Sequence, residues 1–208
     1  WLRPACAGLA VGLIALFYPQ VLGVGYEATD QALNQQLAFS MLFALLVAKV
    51  AATSISIGLG FGAGVFSPSL FIGAMLGGAF GIVATLAFPE LSSGHGAYTI
   101  VGMGAVAGAV LGAPISTILM VFELTGDYSI TVAVMIATVI ASTVTQHFYG
   151  HSFFTWQLAK RGLDPKHGGE HHLLRSVRVR DVMEQDFEIV DPAAAMREVR
   201  EKLQRSHH

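Results

Sequence analysis

Gly-Ala-Gly-Val-Phe-Ser-Pro-Ser-Leu-Phe-Ile-Gly-Ala, residues 62–74, is apolar enough for a hydrophobic interior yet is built to interrupt a helix. Glycine costs about 1 kcal/mol and proline about 3 kcal/mol inside a helix. A helix is therefore expected to begin here, with Pro68 in its first turn. A helix start presents about four backbone N–H groups without intrahelical partners and about half a unit of positive charge. Glycines at the entry let the backbone itself approach a bound species. Such a start suits an anion that must be bound without a fixed cation and then released. On the residues alone, a Gly/Pro break needed only for packing accounts for the pattern equally well.

Working outward, the stretch TSISIGLGFGAGVFSPS at 53–69 predicts a poor continuous helix. Non-helical backbone at membrane depth is tolerated only where protein or a watery cavity surrounds it, and short broken helices meeting near the midplane are typical of transporter and channel sites. The rest of the chain supports a membrane setting. Of 208 residues, 53% are hydrophobic and 12% charged, with a mean hydropathy of +0.59; soluble domains carry about 25% charged residues. Disordered, nucleic-acid-binding and ordinary soluble classes are excluded on that ground. Residues 1–155 hold seven charges (Arg3, Glu27, Asp30, Lys49, Glu90, Glu123, Asp127), whereas residues 156–208 hold nineteen. Five apolar stretches, at 5–18, 37–52, 69–88, 97–122 and 130–149, are read against the roughly 20 residues needed to cross about 30 Å of hydrocarbon. The lone cysteine, Cys6, excludes an intrachain disulfide. The chain, which opens at Trp1, is expected to be part of a longer protein.

Glycine recurs every fourth residue at Gly8/Gly12, Gly73/Gly77/Gly81 and Gly104/Gly108/Gly112, a spacing expected to bring helices close together. Phe153, Phe154 and Trp156 followed by Lys160 and Arg161 read as a membrane interface, with this end in the cytoplasm. Residues 164–174 read as a linker. From Val177 onward a short strand near 187–190, a helix start at Asp191-Pro192 and an amphipathic helix through Leu203 are expected. Lys49, late in an apolar run, is expected to snorkel toward headgroups. Glu123 is expected to be a structural partner or cap near an interface, and Thr53, Ser54 and Ser56 to bond back to helix carbonyls. His147 and His151, and the cluster His167, Glu170, His171, His172, lack the fixed four-ligand geometry of a structural metal site. No nucleophile elbow, phosphate-binding loop or CxxC motif occurs.

The segment GVFSP at 64–68 resembles the GxFxP signature of the CLC family of chloride channels and chloride/proton antiporters. The resemblance extends through PQVLGVGYEATDQAL (19–33), LLVAKVAATSISIGLGFGAGVFSPSLFIGAMLGGAFG (45–81), VGMGAVAGAVLGAPISTILMVFELTGDYSI (101–130) and FFTWQLAKRG (153–162). VRDVM (179–183) is similar to the start of a CBS domain. The resemblance implies an all-α polytopic membrane protein: the second of two inverted repeats, with broken and re-entrant helices, then a truncated α/β CBS module. The implied division is a membrane domain over 1–162, a linker over 163–176 and a partial CBS domain over 177–208.

The resemblance also implies the function, transport of chloride or a similar small anion without an enzymatic step, cofactor or resident metal. Its implied anion site comprises Gly64, Val65, Phe66, Ser67, Pro68 and Phe154, with the N–H groups of Val65 and Phe66 toward the ion. Phe154 stands where the family has a tyrosine that donates a hydroxyl hydrogen bond to the anion. Implied partners are the lipid bilayer, a missing N-terminal repeat, and a second copy through the late membrane helices, but no nucleic acid. The implied location is the plasma (inner) membrane with a cytoplasmic C-terminus. Two rivals are a nucleotide-sensing CBS-containing membrane module without transport of its own, and an intramembrane enzyme using Glu123 with a histidine.

Overall fold

The computed structural model describes residues 2–61, 64–90, 92–160, 194–197 and 199–200. The chain divides into two compact units, 1–162 and 163–208. In the second, Met196, Arg197, Val199 and Arg200 are helical. The expected linker, the strand near 187–190 and most of the expected CBS module lie outside the described residues.

In the first unit every regular element among the described residues is helical. The order is α1 (Leu2–Phe17), a 3-10 turn (Pro19–Val21), α2 (Tyr26–Leu33), α3 (Phe39–Gly58), α4 (Phe66–Ala87), α5 (His95–Leu111), α6 (Pro114–Thr125), α7 (Tyr128–Tyr149) and α8 (Phe153–Lys160). Three stretches are long and apolar enough to cross a bilayer: Phe39–Gly58, Phe66–Ala87, and Tyr128–Lys160, which runs from α7 into α8. At 1.5 Å rise per residue, about 20 residues match the hydrocarbon thickness. Helices α1, α5 and α6 are apolar but shorter.

Helix α4 is the centre of the unit. It packs on α3, α2 and most extensively α5, while α5 continues the packing to α7 and α6. The α4–α5 crossing explains the glycine spacing. A Cβ on Gly73 would run into the Gly102 carbonyl oxygen, one on Gly102 into the Gly73 carbonyl oxygen, and one on Gly77 into the Tyr98 carbonyl oxygen. Backbone therefore lies on backbone, a contact only glycine permits. Gly104 and Gly108 instead make room for the side chains of Val134 and Thr138 of α7. Gly8 and Gly12 have nothing within 4 Å, so the packing expectation does not hold for that pair within the described chain. Beside the crossing, Leu45 of α3 and Phe71, Ala74 and Met75 of α4 form a buried core with Ala28 and Ala32 of α2.

Two helix boundaries differ from the sequence expectation. The apolar run 97–122 is two helices, because Gly112 adopts φ +71° at the end of α5 and Pro114 starts α6. The broken stretch expected over 53–69 is narrower. Helix α3 continues to Gly58 and α4 begins at Phe66, two residues before Pro68. Ser56 stays helical by donating its hydroxyl to the Ala52 carbonyl at 2.8 Å, and the chain leaves the helix near Gly60, at φ +89°.

Candidate functional site

Helix α4 starts without a side-chain cap. Val65 precedes its first residue at φ −96° and ψ −17°, and its side chain makes no cap hydrogen bond to the first turn. The first intrahelical bond runs from the Ser69 N–H to the Val65 carbonyl at 3.1 Å. The N–H groups of Phe66 and Ser67 precede it, and Pro68 has no N–H to satisfy. The Ser69 hydroxyl turns back to the Phe66 carbonyl at 2.6 Å. The Ser67 hydroxyl oxygen is buried without a hydrogen-bond partner among the described residues. This end of α4 thus gathers N–H donors without intrahelical partners at the positive pole of a 22-residue helix.

Residues of this turn line a cavity of about 510 Å³, from which the buried Ser67 hydroxyl oxygen is itself shielded. Gly64, Phe66, Ser67 and Pro68 line it at the start of α4, Lys49, Ala52, Thr53 and Ser56 form the α3 wall, and Val11 and Val21 to Val24 complete the lining. Lys49, Thr53 and Ser56 are spaced i, i+4, i+7, which places them on one helix face. Of the six residues implied for the anion site, the structure brings Gly64, Phe66, Ser67 and Pro68 to this cavity, with Val65 between them in sequence. Phe154 is on α8, 40% exposed, and is not among the cavity's lining residues. Its ring meets that of Phe153 edge-on at 5.7 Å, and α8 packs on α5.

Lys49 corrects the snorkelling expectation. It is 3% exposed, and its ammonium donates to the carbonyls of Val21 at 2.7 Å and Gly23 at 2.8 Å. The Phe71 ring lies beneath it, with the centroid 4.9 Å from Nζ. Burying an ammonium costs several kcal/mol unless it is well partnered; two carbonyls and an aromatic face offset that cost. The i, i+4, i+7 spacing was the available signal for this polar face. The carbonyl partners, 28 and 26 residues away, left no local trace.

The remaining polar residues sort plainly. Asp127, rather than Glu123, is the cap: its carboxylate accepts from the N–H groups of Ser129 at 2.7 Å and Ile130 at 3.2 Å. Glu123 is exposed on α6. Among the described residues no three His, Cys, Asp or Glu side chains group as metal ligands. Lys160 lies over the Trp156 ring at 4.8 Å, a cation–aromatic pair at the end of α8.

A family model described as voltage gated chloride channel matches residues 1–146, ending before α8. A ClcB-like protein of Ralstonia nicotianae is 38% identical over 149 residues, covering 72% of this chain and 34% of its own length. The H(+)/Cl(-) exchange transporter ClcA of Vibrio vulnificus is 35% identical over 141 residues, covering 68% of this chain and 30% of its own. The voltage-gated ClC-type chloride channel ClcB of Escherichia coli is 34% identical over 156 residues, covering 75% of this chain and 37% of its own. The chain spans about a third of the length of these curated relatives.

Proposed function

The chain belongs to the voltage gated chloride channel family, and on that premise we propose that it supplies the C-terminal part of a membrane pathway for chloride or a similar small anion. The observation that carries this reading is the start of α4, which has no side-chain cap and whose residues Gly64, Phe66, Ser67 and Pro68 line a cavity. A small anion is desolvated there by dipoles instead of by a salt bridge. Hydrogen bonds to a charged partner contribute about 1.5–3 kcal/mol each, so two or three replace part of the hydration shell without trapping the ion. No covalent step, cofactor or resident metal enters this mechanism.

The pathway is completed, in this proposal, by an N-terminal repeat outside this chain and by Phe154 of α8, which offers a ring edge but no hydroxyl. A second copy of the protein pairs through the late helices, where Ile115 is 73%, Leu119 59% and Ile136 58% exposed. The Trp156–Lys160 pair sits at the cytoplasmic face of the plasma (inner) membrane.

The test is an amide-to-ester replacement at Phe66, which removes that N–H and keeps the side chain. Chloride flux of the full-length protein in liposomes is expected to need at least about tenfold more chloride for half-saturation. The same replacement at Leu70, inside the helix, is expected to leave half-saturation unchanged. Equal values for both esters would rule out the Phe66 amide as a ligand.

A further inference from the structure

The α3 wall of the cavity carries a buried lysine, Lys49. Lys49 has three N–H donors and spends two on the carbonyls of Val21 and Gly23. No carboxylate lies within ion-pair distance of it among the described residues. An ionisable residue inside a membrane segment is there for function by default, because its burial is costly. Its placement gives that function a form. Two tethers run to the 21–24 segment, which lines the same cavity as Lys49, Ser67 and Pro68.

We propose that Lys49 is a positioning residue of the anion cavity, pinning the 21–24 segment as its wall and supplying a fixed positive charge that raises anion occupancy. The proposal rests on the anion pathway proposed above and adds a residue to it. Because carbonyls already hold the ammonium, it cannot swing out to chelate the ion. It attracts at a distance and leaves ligation to the α4 amides, so the ion is drawn in and still departs. A freely mobile lysine in the same place would close on the anion and slow its release. The carbonyl tethers therefore turn a potential trap into a steady field.

The experiment compares Lys49→Met, Lys49→Gln and Lys49→Arg in the full-length protein, reconstituted in liposomes, with chloride flux read against chloride concentration. Loss of the charge in the Met and Gln variants is expected to raise the half-saturating chloride about tenfold, with a smaller change in maximal flux. Arginine, which keeps both charge and donors, is expected to stay within about twofold of wild type. Thermal melting of the same detergent-purified samples separates folding from binding, and Gln carries the comparison if Met does not fold. Unchanged half-saturation in Met and Gln overturns the proposal, as does an Arg variant as impaired as Met, which marks a purely packing role. Absence of flux from the wild-type protein is the distinct result that removes the anion pathway itself.

Discussion

At position 154 one oxygen atom separates this chain from the tyrosine implied by its CLC resemblance. A neutral hydroxyl donor contributes about 0.5–1.5 kcal/mol net, which corresponds to about two- to tenfold in affinity. Phe154→Tyr is therefore expected to lower the half-saturating chloride by that factor in the full-length protein, as read by liposome flux. No change would place the ring away from the ion's path. The residues at 64–68 were legible in the sequence because glycine and proline act on their own backbone, and a helix start is a local event. Lys49 was misread for the opposite reason. Its environment is made by carbonyls at Val21 and Gly23, which periodicity within α3 does not report. Asp127 is the converse case: its cap depends only on the next three residues, yet the capping role was expected of Glu123.

Among the elements, the α4–α5 pair sets the geometry on which the site depends, since its close crossing fixes where α4 lies. Adding a side chain where backbones touch forces the helices apart, and overpacking of this kind costs about 1–3 kcal/mol. Gly77→Ala and Gly102→Ala are expected to lower the melting temperature of the purified protein by that amount of stability. Gly8→Ala, with nothing within 4 Å, is expected to stay within about 0.5 kcal/mol of wild type. Similar losses at all three positions would contradict the close crossing. Asp127→Ala removes the α7 cap and is expected to cost about 1 kcal/mol, visible in the same melts. Spacing alone announced these glycine faces but not which partner each would meet. The single apolar run 97–122 likewise hid a corner, because Gly112 and Pro114 break a helix without lowering its hydropathy.

For the whole molecule, the low charge of residues 1–155 follows from what the helices present to one another: glycine backbone, small hydroxyls and dipoles, with Lys49 as a buried exception. The family and its helical membrane character were readable from motif order and composition. The second unit's expected CBS character was read from residues that lie largely outside those described. A pathway assembled from two repeats carries its own expectation: residues 1–208 alone in liposomes should give no anion flux, while the full-length protein does. Flux from the isolated chain at the full-length rate would end the two-repeat proposal. The most direct measurement is anomalous scattering from crystals of the full-length protein soaked in bromide. A bromide peak within hydrogen-bonding reach of the Phe66 amide nitrogen, in the cavity between Lys49 and Ser67, is the predicted result. A transport-competent protein whose bromide peaks all lie outside that cavity would contradict it.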